Sequence, residues 1–334
     1  MNRTDKLLGT ATRSLQIIEI GAGYCPAAPK SQGWNTHVVD HAAQDALRQK
    51  YSAAAVDTRS IEAVDTVWQA GALHEAVPAA LLGRVDLIIA SHVLEHLPDL
   101  IGFFASAARL AAPDGVLSVA LPDRRYCFDC FKPWTTTGGL LEAHHRGASR
   151  HSLKTAFDHM AYSAVVDGQL GWGAKPIGRP ALLDPFAAAA ATAASFSDAT
   201  TGPYQDYHAW QFTPAGFELT VLELTELGLL DWHLESLDGP DNFEFFASLR
   251  HGSRGRMQPE ALQSARQNLL VRQLAEAREQ IDLMLGRPEN ASALPGRNQV
   301  ECRALADQLA KQDIRLREMT DTLAAIQASL KPAT

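Results

Sequence analysis

The sequence predicts an α/β protein with a Rossmann-like, seven-stranded, mostly parallel sheet and helices on both faces. Three observations carry this. Short apolar runs alternate with helical patterns over residues 14–121, the first run stops at Gly21-Ala22-Gly23, and a helix followed by two further runs closes the pattern near residue 250.

Ser14–Ile20 (SLQIIEI) is a buried strand entering a tight glycine turn. Trp34–Asp40 is a second strand ending in an acid, Val64–Trp68 a third, Val85–Ser91 a fourth and Gly115–Leu121 a fifth. Helical patterns at Asp45–Tyr51, Ala76–Leu82 and Leu100–Ala112 separate them, the last stopped by Pro113-Asp114-Gly115. From 123 to 207 the alternation lapses into a segment rich in His, Gly, Pro and aromatic residues, read as an insertion over the carboxyl edge of the sheet. Thr213-Pro214 then opens a helix ended by Gly228, and Trp232–Leu237 and Phe243–Leu249 are the closing strands.

The domain is therefore expected to span 1–252, followed by a helical tail over 258–330 with a break at 286–299. Leu270, Leu274, Ala277, Ile281 and Met284 step by four and three, and the same step runs from Leu305 to Leu330, which predicts a coiled coil. Such a tail offers a route to a homo-oligomer or a protein partner.

Composition narrows the function. A net charge of −8 over 334 residues disfavours nucleic acid and anionic membranes as partners, since both need a basic surface. No apolar run approaches the roughly 20 residues of a membrane span, and the first residues lack the apolar stretch of a signal peptide. Four cysteines are too few for a disulfide framework in a chain of this length. A cytoplasmic enzyme is the expectation.

Ligands of open α/β sheets bind at the carboxyl ends of the strands. Four pieces lie there: Glu19-Ile20-Gly21-Ala22-Gly23, Asp40, Ser91-His92 and Pro122-Asp123. Glycines let the backbone approach a ligand closely, and an acid about 20 residues past the first strand can accept from both ribose hydroxyls. The glycine run lacks the third glycine expected for a pyrophosphate, and Glu19 would repel one. A carboxylate there suits a cofactor with a cationic amino-acid end.

The segments IIEIGAGYCP, VVDH and VDLIIASHVLEHLPDLIGFF, followed by RLAAPDGVLSVALPD, resemble class I S-adenosylmethionine-dependent methyltransferases. Asp123–Asp129 (DRRYCFD) and Tyr207–Pro214 (YHAWQFTP) resemble a bacterial branch associated with glycan and surface-polysaccharide synthesis. The resemblance covers residues 14–250 and implies S-adenosyl-L-methionine as cofactor. It implies that Glu19, Gly21 and Gly23 shape the loop around the methionine part and that Asp40 holds the ribose. Trp68 and Gln69 fall where the family binds adenine, although an acid is common there. Ser91 and His92 would line the floor beside the sulfonium.

Methyl transfer from a sulfonium is an in-line displacement, so positioning supplies much of the rate. A hydroxyl acceptor also benefits from a general base, for which His is the usual residue. His208 is the first candidate because it precedes the resumed sheet, where the cleft should close, and His96 is read as structural. Asp123 is the second catalytic candidate. Arg124, Arg125 and Tyr126 are candidate substrate contacts, the arginines for phosphate or carboxylate. Cys127-x-x-Cys130 is read as buried thiols, and no metal ligands are assigned.

These readings predict an S-adenosylmethionine-dependent methyltransferase acting on the oxygen of a sugar or glycan-related acceptor. The alternatives are a methyltransferase-fold scaffold working through its tail, or nitrogen methylation of a small metabolite.

Overall fold

The computed structural model describes residues 2–53, 56–175, 178–197, 205–252 and 254–285. Strands β1 (Ile17–Ile20), β2 (Thr36–Asp40), β3 (Thr66–Val67), β4 (Val85–Ser91) and β5 (Ala111–Pro122) run parallel. Two short strands, β6 (Ala164–Val165) and β7 (Ala181–Leu182), form a separate pair. The last two, β8 (Trp232–Asp241) and β9 (Glu244–His251), are an antiparallel hairpin whose β9 pairs with β5. The seven-stranded order β3-β2-β1-β4-β5-β9-β8 reverses direction between β1 and β4, which puts a topological switch beside the end of β1. The expected Rossmann-like sheet is the observed one.

The helices are α1 (Arg3–Leu8), α2 (Gln44–Tyr51), α3 (Leu73–Ala76), α4 (Leu100–Leu110), α5 (Thr137–His145), α6 (Leu153–Tyr162), α7 (Phe186–Ser195), α8 (Pro214–Glu226) and α9 (Pro259–Leu285). In α4, Asp99 caps the first turn by accepting from the Gly102 amide at 2.9 Å. Leu100, Phe103, Phe104, Ala107 and Leu110 of α4 are all buried against the sheet. Each large side chain so buried contributes about 1.5–3 kcal/mol. The indole of Trp232, also buried, donates to the Phe104 carbonyl at 3.0 Å. In α8, Thr213 caps the helix and Pro214 occupies its first turn, where a missing amide costs nothing.

Two expected elements differ. The helix expected over Ala76–Leu82 is instead α3 and a 3-10 turn at Ala79–Leu81. Val77, which precedes Pro78, is extended with ψ 160°, as the proline ring requires of its neighbour. The described residues of the insertion, where no helix was assigned from sequence, hold α5, α6 and α7, with Thr136 and Ser152 as caps for the first two. The alanine run lies in α7, alanine being the strongest helix former.

One compact unit runs to Leu285, past the expected boundary at 252. The reason is α9, which packs on the domain. Leu269 and Gln280 are buried on its inner face, whereas Leu270, Leu274 and Ile281 of the expected coiled-coil seam are exposed. Glu276 accepts from the Ala215 amide at the start of α8 at 3.1 Å. The second heptad stretch, Leu305–Leu330, lies outside the described residues. Among the described residues, no helix is long and apolar enough to cross a membrane.

Candidate active site

The carboxyl ends of β1, β2 and β4 bring the expected cofactor residues together. Gly21 and Gly23 have φ of 66° and 50°, the left-handed region that glycine enters without strain. At Gly21 a Cβ would come within 2.9 Å of Val93, so the close approach also needs glycine. Glu19 is buried behind this turn, and its two carboxylate oxygens accept from the Ala27 and Ala28 amides at 2.6 and 3.0 Å. It thereby fixes the path of residues 21–28.

Asp40 ends β2 and is buried. Its Oδ2 accepts from the Gly23 amide at 3.3 Å and its Oδ1 from the His41 amide at 2.7 Å. His41 Nδ1 also lies 2.7 Å from Oδ1, and Oδ2, which receives one long amide bond, can accept a second hydrogen bond from a hydroxyl donor. Trp68 stacks on Phe103 with ring centroids 6.4 Å apart, and the Gln69 side chain donates to the His41 carbonyl at 3.0 Å. Both therefore stand beside Asp40.

Ser91 and His92 lie in a charged network that the sequence did not reveal. Arg3, from α1, donates to Ser91 Oγ and pairs with Glu244 of β9 at 2.9 Å. His92, at φ 53°, pairs through Nε2 with Glu244 at 2.8 Å and places Nδ1 3.3 Å from Glu95. Burial opposes a charge on this ring, but Glu244 and Glu95 outweigh it and raise the His92 pKa to about 9. A cationic imidazolium therefore stands at the end of β4.

The expected substrate contacts at Arg124, Arg125 and Tyr126 are corrected. All three side chains are buried. Arg124 donates to the carbonyls of Cys130 and Lys132 at 2.9 and 2.7 Å and to Gln280 of α9 at 3.1 Å. Arg125 grips Asp123 with two donors and reaches Glu279 of α9 at 2.6 Å. Their polar atoms hold the insertion and α9 to β5, and Tyr126 packs with Cys130 and Trp172 in a small core. Asp123 is likewise corrected as a catalytic candidate, because its fully buried carboxylate is taken up by Arg125.

His208 sits elsewhere. Its Nδ1 pairs with Asp129 at 2.6 Å, and Asp129 also pairs with Lys132 at 2.6 Å. Burial opposes the Asp129 charge, yet His208 and Lys132 hold its carboxyl well below the usual range. The His208 ring meets that of His96 edge to face at 4.5 Å. The Glu95 carbonyl accepts from the Ala209 amide at 2.7 Å, which ties the segment after the insertion to the end of β4. His96, read as structural from sequence, is therefore adjacent to His208.

Cys127 and Cys130 are buried and Cys25 is exposed. Burial pushes the Cys130 thiol up to about 12 and the Cys127 thiol well above its ordinary value. Thiolate is the reactive form, so Cys25 is expected to be alkylated by iodoacetamide at mildly alkaline pH while Cys127 and Cys130 stay unmodified until denaturant is added. Peptide mass mapping reads this directly, and equal labelling of the three in the native protein would contradict the burial.

Residues 2–167 match the family described as "Methyltransferase domain". The enzyme is a methyltransferase, and S-adenosylmethionine is its cofactor. Among solved structures, it is similar to the CcbJ methyltransferase of Streptomyces caelestis, at 12% identity over 75% of this chain and 97% of that one, with a TM-score of 0.39. It is also similar to the 1,6-didemethyltoxoflavin-N1-methyltransferase of Burkholderia thailandensis, solved with that acceptor and S-adenosylhomocysteine. There the identity is 11% over 75% of this chain and 76% of that one, with a TM-score of 0.37. A third similarity is to DhpI in its SAH complex, at 16% identity over 71% and 77% of the two chains, with a TM-score of 0.33. No curated protein matches.

Proposed function

We propose that this methyltransferase transfers the methyl group of S-adenosylmethionine to a hydroxyl of a carbohydrate or related small molecule. In this reading the Gly21–Gly23 turn holds the methionine part, Asp40 the ribose, Trp68 and Gln69 the adenine side, and Ser91 and His92 the floor beside the sulfonium. The bound cofactor supplies an activated methyl group with a neutral thioether as leaving group. The chain's own task is to align an acceptor oxygen and take its proton.

The observation that carries the oxygen reading is the polar cluster of Glu95, His96 and His208, joined to the cofactor end through the 3.3 Å approach of His92 to Glu95. A positively charged amine would have to shed a proton first, whereas a hydroxyl gives up its proton as the new bond forms, and imidazole and carboxylate groups suit that transfer. The carbohydrate class is supported by the resemblance of DRRYCFD and YHAWQFTP to glycan-associated enzymes. Both segments border this cluster: DRRYCFD ends at Asp129, and YHAWQFTP contains His208.

Purified protein incubated with methyl-labelled S-adenosylmethionine and panels of sugars, sugar nucleotides and small amines is expected to label hydroxylated acceptors. Nuclear magnetic resonance of the product would show an O-methyl signal. Label confined to amines would reject the oxygen reading, and label confined to hydroxylated compounds that are not carbohydrates would reject the carbohydrate class.

A further inference from the structure

We propose that Glu95, His96 and His208 form a binding site for one divalent transition-metal ion, for which zinc is the probe. Each residue offers one ligand atom, and these atoms all lie within 4.8 Å of one another. Two metal–ligand bonds of about 2 Å span at most about 4 Å between donors, so side-chain shifts of about an ångström close the set on an ion.

Glu95 distinguishes this set from a chance gathering. Its side chain is fully buried, and neither carboxylate oxygen has a hydrogen-bond partner among the described residues. The imidazolium of His92 faces Oε1 from 3.3 Å as an ion pair and not as a hydrogen bond. That pair balances the carboxylate's charge from one side only, and its oxygens still lack the hydrogen bonds that buried carboxylates ordinarily make, which leaves them able to take a metal ion. The nearest ring nitrogen of His96, Nε2, is 4.0 Å from the same oxygen. Tetrahedral ligands about 2 Å from an ion stand about 3.3 Å apart, so a shift of under an ångström brings this pair onto one ion.

Both imidazoles are also oriented from behind. His96 Nδ1 pairs with Asp206 at 2.9 Å, and His208 Nδ1 pairs with Asp129 at 2.6 Å. An N–H on Nδ1 given to a carboxylate fixes the tautomer and directs the Nε2 lone pair forward, the usual arrangement around metal-bound histidine. Here the arrangement occurs twice in one cluster. Lys132 holds Asp129 in turn, and the Ala209 amide holds the Glu95 carbonyl, so the three residues are positioned before any ion arrives.

Two imidazoles and one carboxylate are a ligand set of catalytic zinc centres, which keep a position for water, and not the closed four-ligand set of structural ones. The His96 side chain is 30% exposed.

Full-length protein, stripped with a chelator and returned to chelator-free buffer, is titrated with zinc chloride against a chromogenic zinc indicator, and bound metal is counted by elemental analysis. One tight equivalent per chain is expected. Asp206→Asn, at a half-exposed position that leaves the core intact, should weaken it about 10–100-fold, as loss of the group behind a metal-bound histidine does. His208→Ala should weaken it further, with circular dichroism confirming each fold. Absence of stoichiometric zinc on folded wild type overturns the proposal, and so does an affinity unchanged in Asp206→Asn. Loss in Cys127→Ser with retention in His208→Ala would move the ion to the cysteine pair and overturn it as well. The titration involves no methyl transfer, so its failure and the failure of the proposed reaction are separate results.

Discussion

Replacing Asp123 with alanine is expected to destabilise the protein by about 3–5 kcal/mol, the cost of removing one partner of a buried ion pair. The carboxylate is fully buried and accepts two donors from Arg125. Without it the guanidinium stays inside the protein, with Glu279 as its remaining ion-pair partner among the described residues. Denaturant unfolding followed by far-ultraviolet circular dichroism checks the magnitude. The same experiment separates the two roles this residue could have. A variant that folds with wild-type stability but has lost turnover would return Asp123 to the reaction and refute its structural role.

Asp40→Ala is expected to weaken S-adenosylmethionine binding about 10- to 150-fold, the equivalent of about 1.5–3 kcal/mol for hydrogen bonds to a charged acceptor. The carboxylate already receives the Gly23 and His41 amides, so its oxygens are fixed in place before the cofactor arrives. Isothermal titration on the wild type, the alanine variant and Asp40→Asn gives the comparison. The asparagine variant keeps the shape and one acceptor oxygen, and should fall between the other two. An unchanged dissociation constant in both would remove Asp40 from the ribose. Loss of fold in the alanine variant alone would leave the asparagine result to decide.

The residues proposed to hold the cofactor were locatable because their signals are local. Glu19, Gly21 and Gly23 lie within five consecutive residues, and Asp40 closes the next apolar run, so strand ends and turn chemistry locate all four. The acceptor half depends on pairings across the chain. His96 meets Asp206, 110 residues away, and His208 meets Asp129, 79 residues away. No periodicity reports such a meeting, and each histidine taken alone is ordinary.

Arg124 and Arg125 failed for a different reason. Consecutive arginines after a strand suggest a solvent-facing anion site, and burial was invisible until α9 covered them. The heptad seam of α9 likewise did not mark the face that packs on the domain. A helix that packs on a globular body repeats its inner face at nearly the heptad spacing, so apolar steps alone do not say which face turns inward. Along α9 the inner face includes Leu269 and Gln280, offset by one position from the expected seam at Leu270 and Ile281.

That helix alters how the chain can be divided. Glu279 and Gln280 accept from Arg125 and Arg124, and Glu276 accepts from the Ala215 amide at the start of α8. A fragment cut where the sheet ends would expose two cationic side chains that the fold has enclosed. α9 therefore works as a polar clasp on the catalytic body, and whatever pulls on the chain beyond Leu285 pulls on the clasp first.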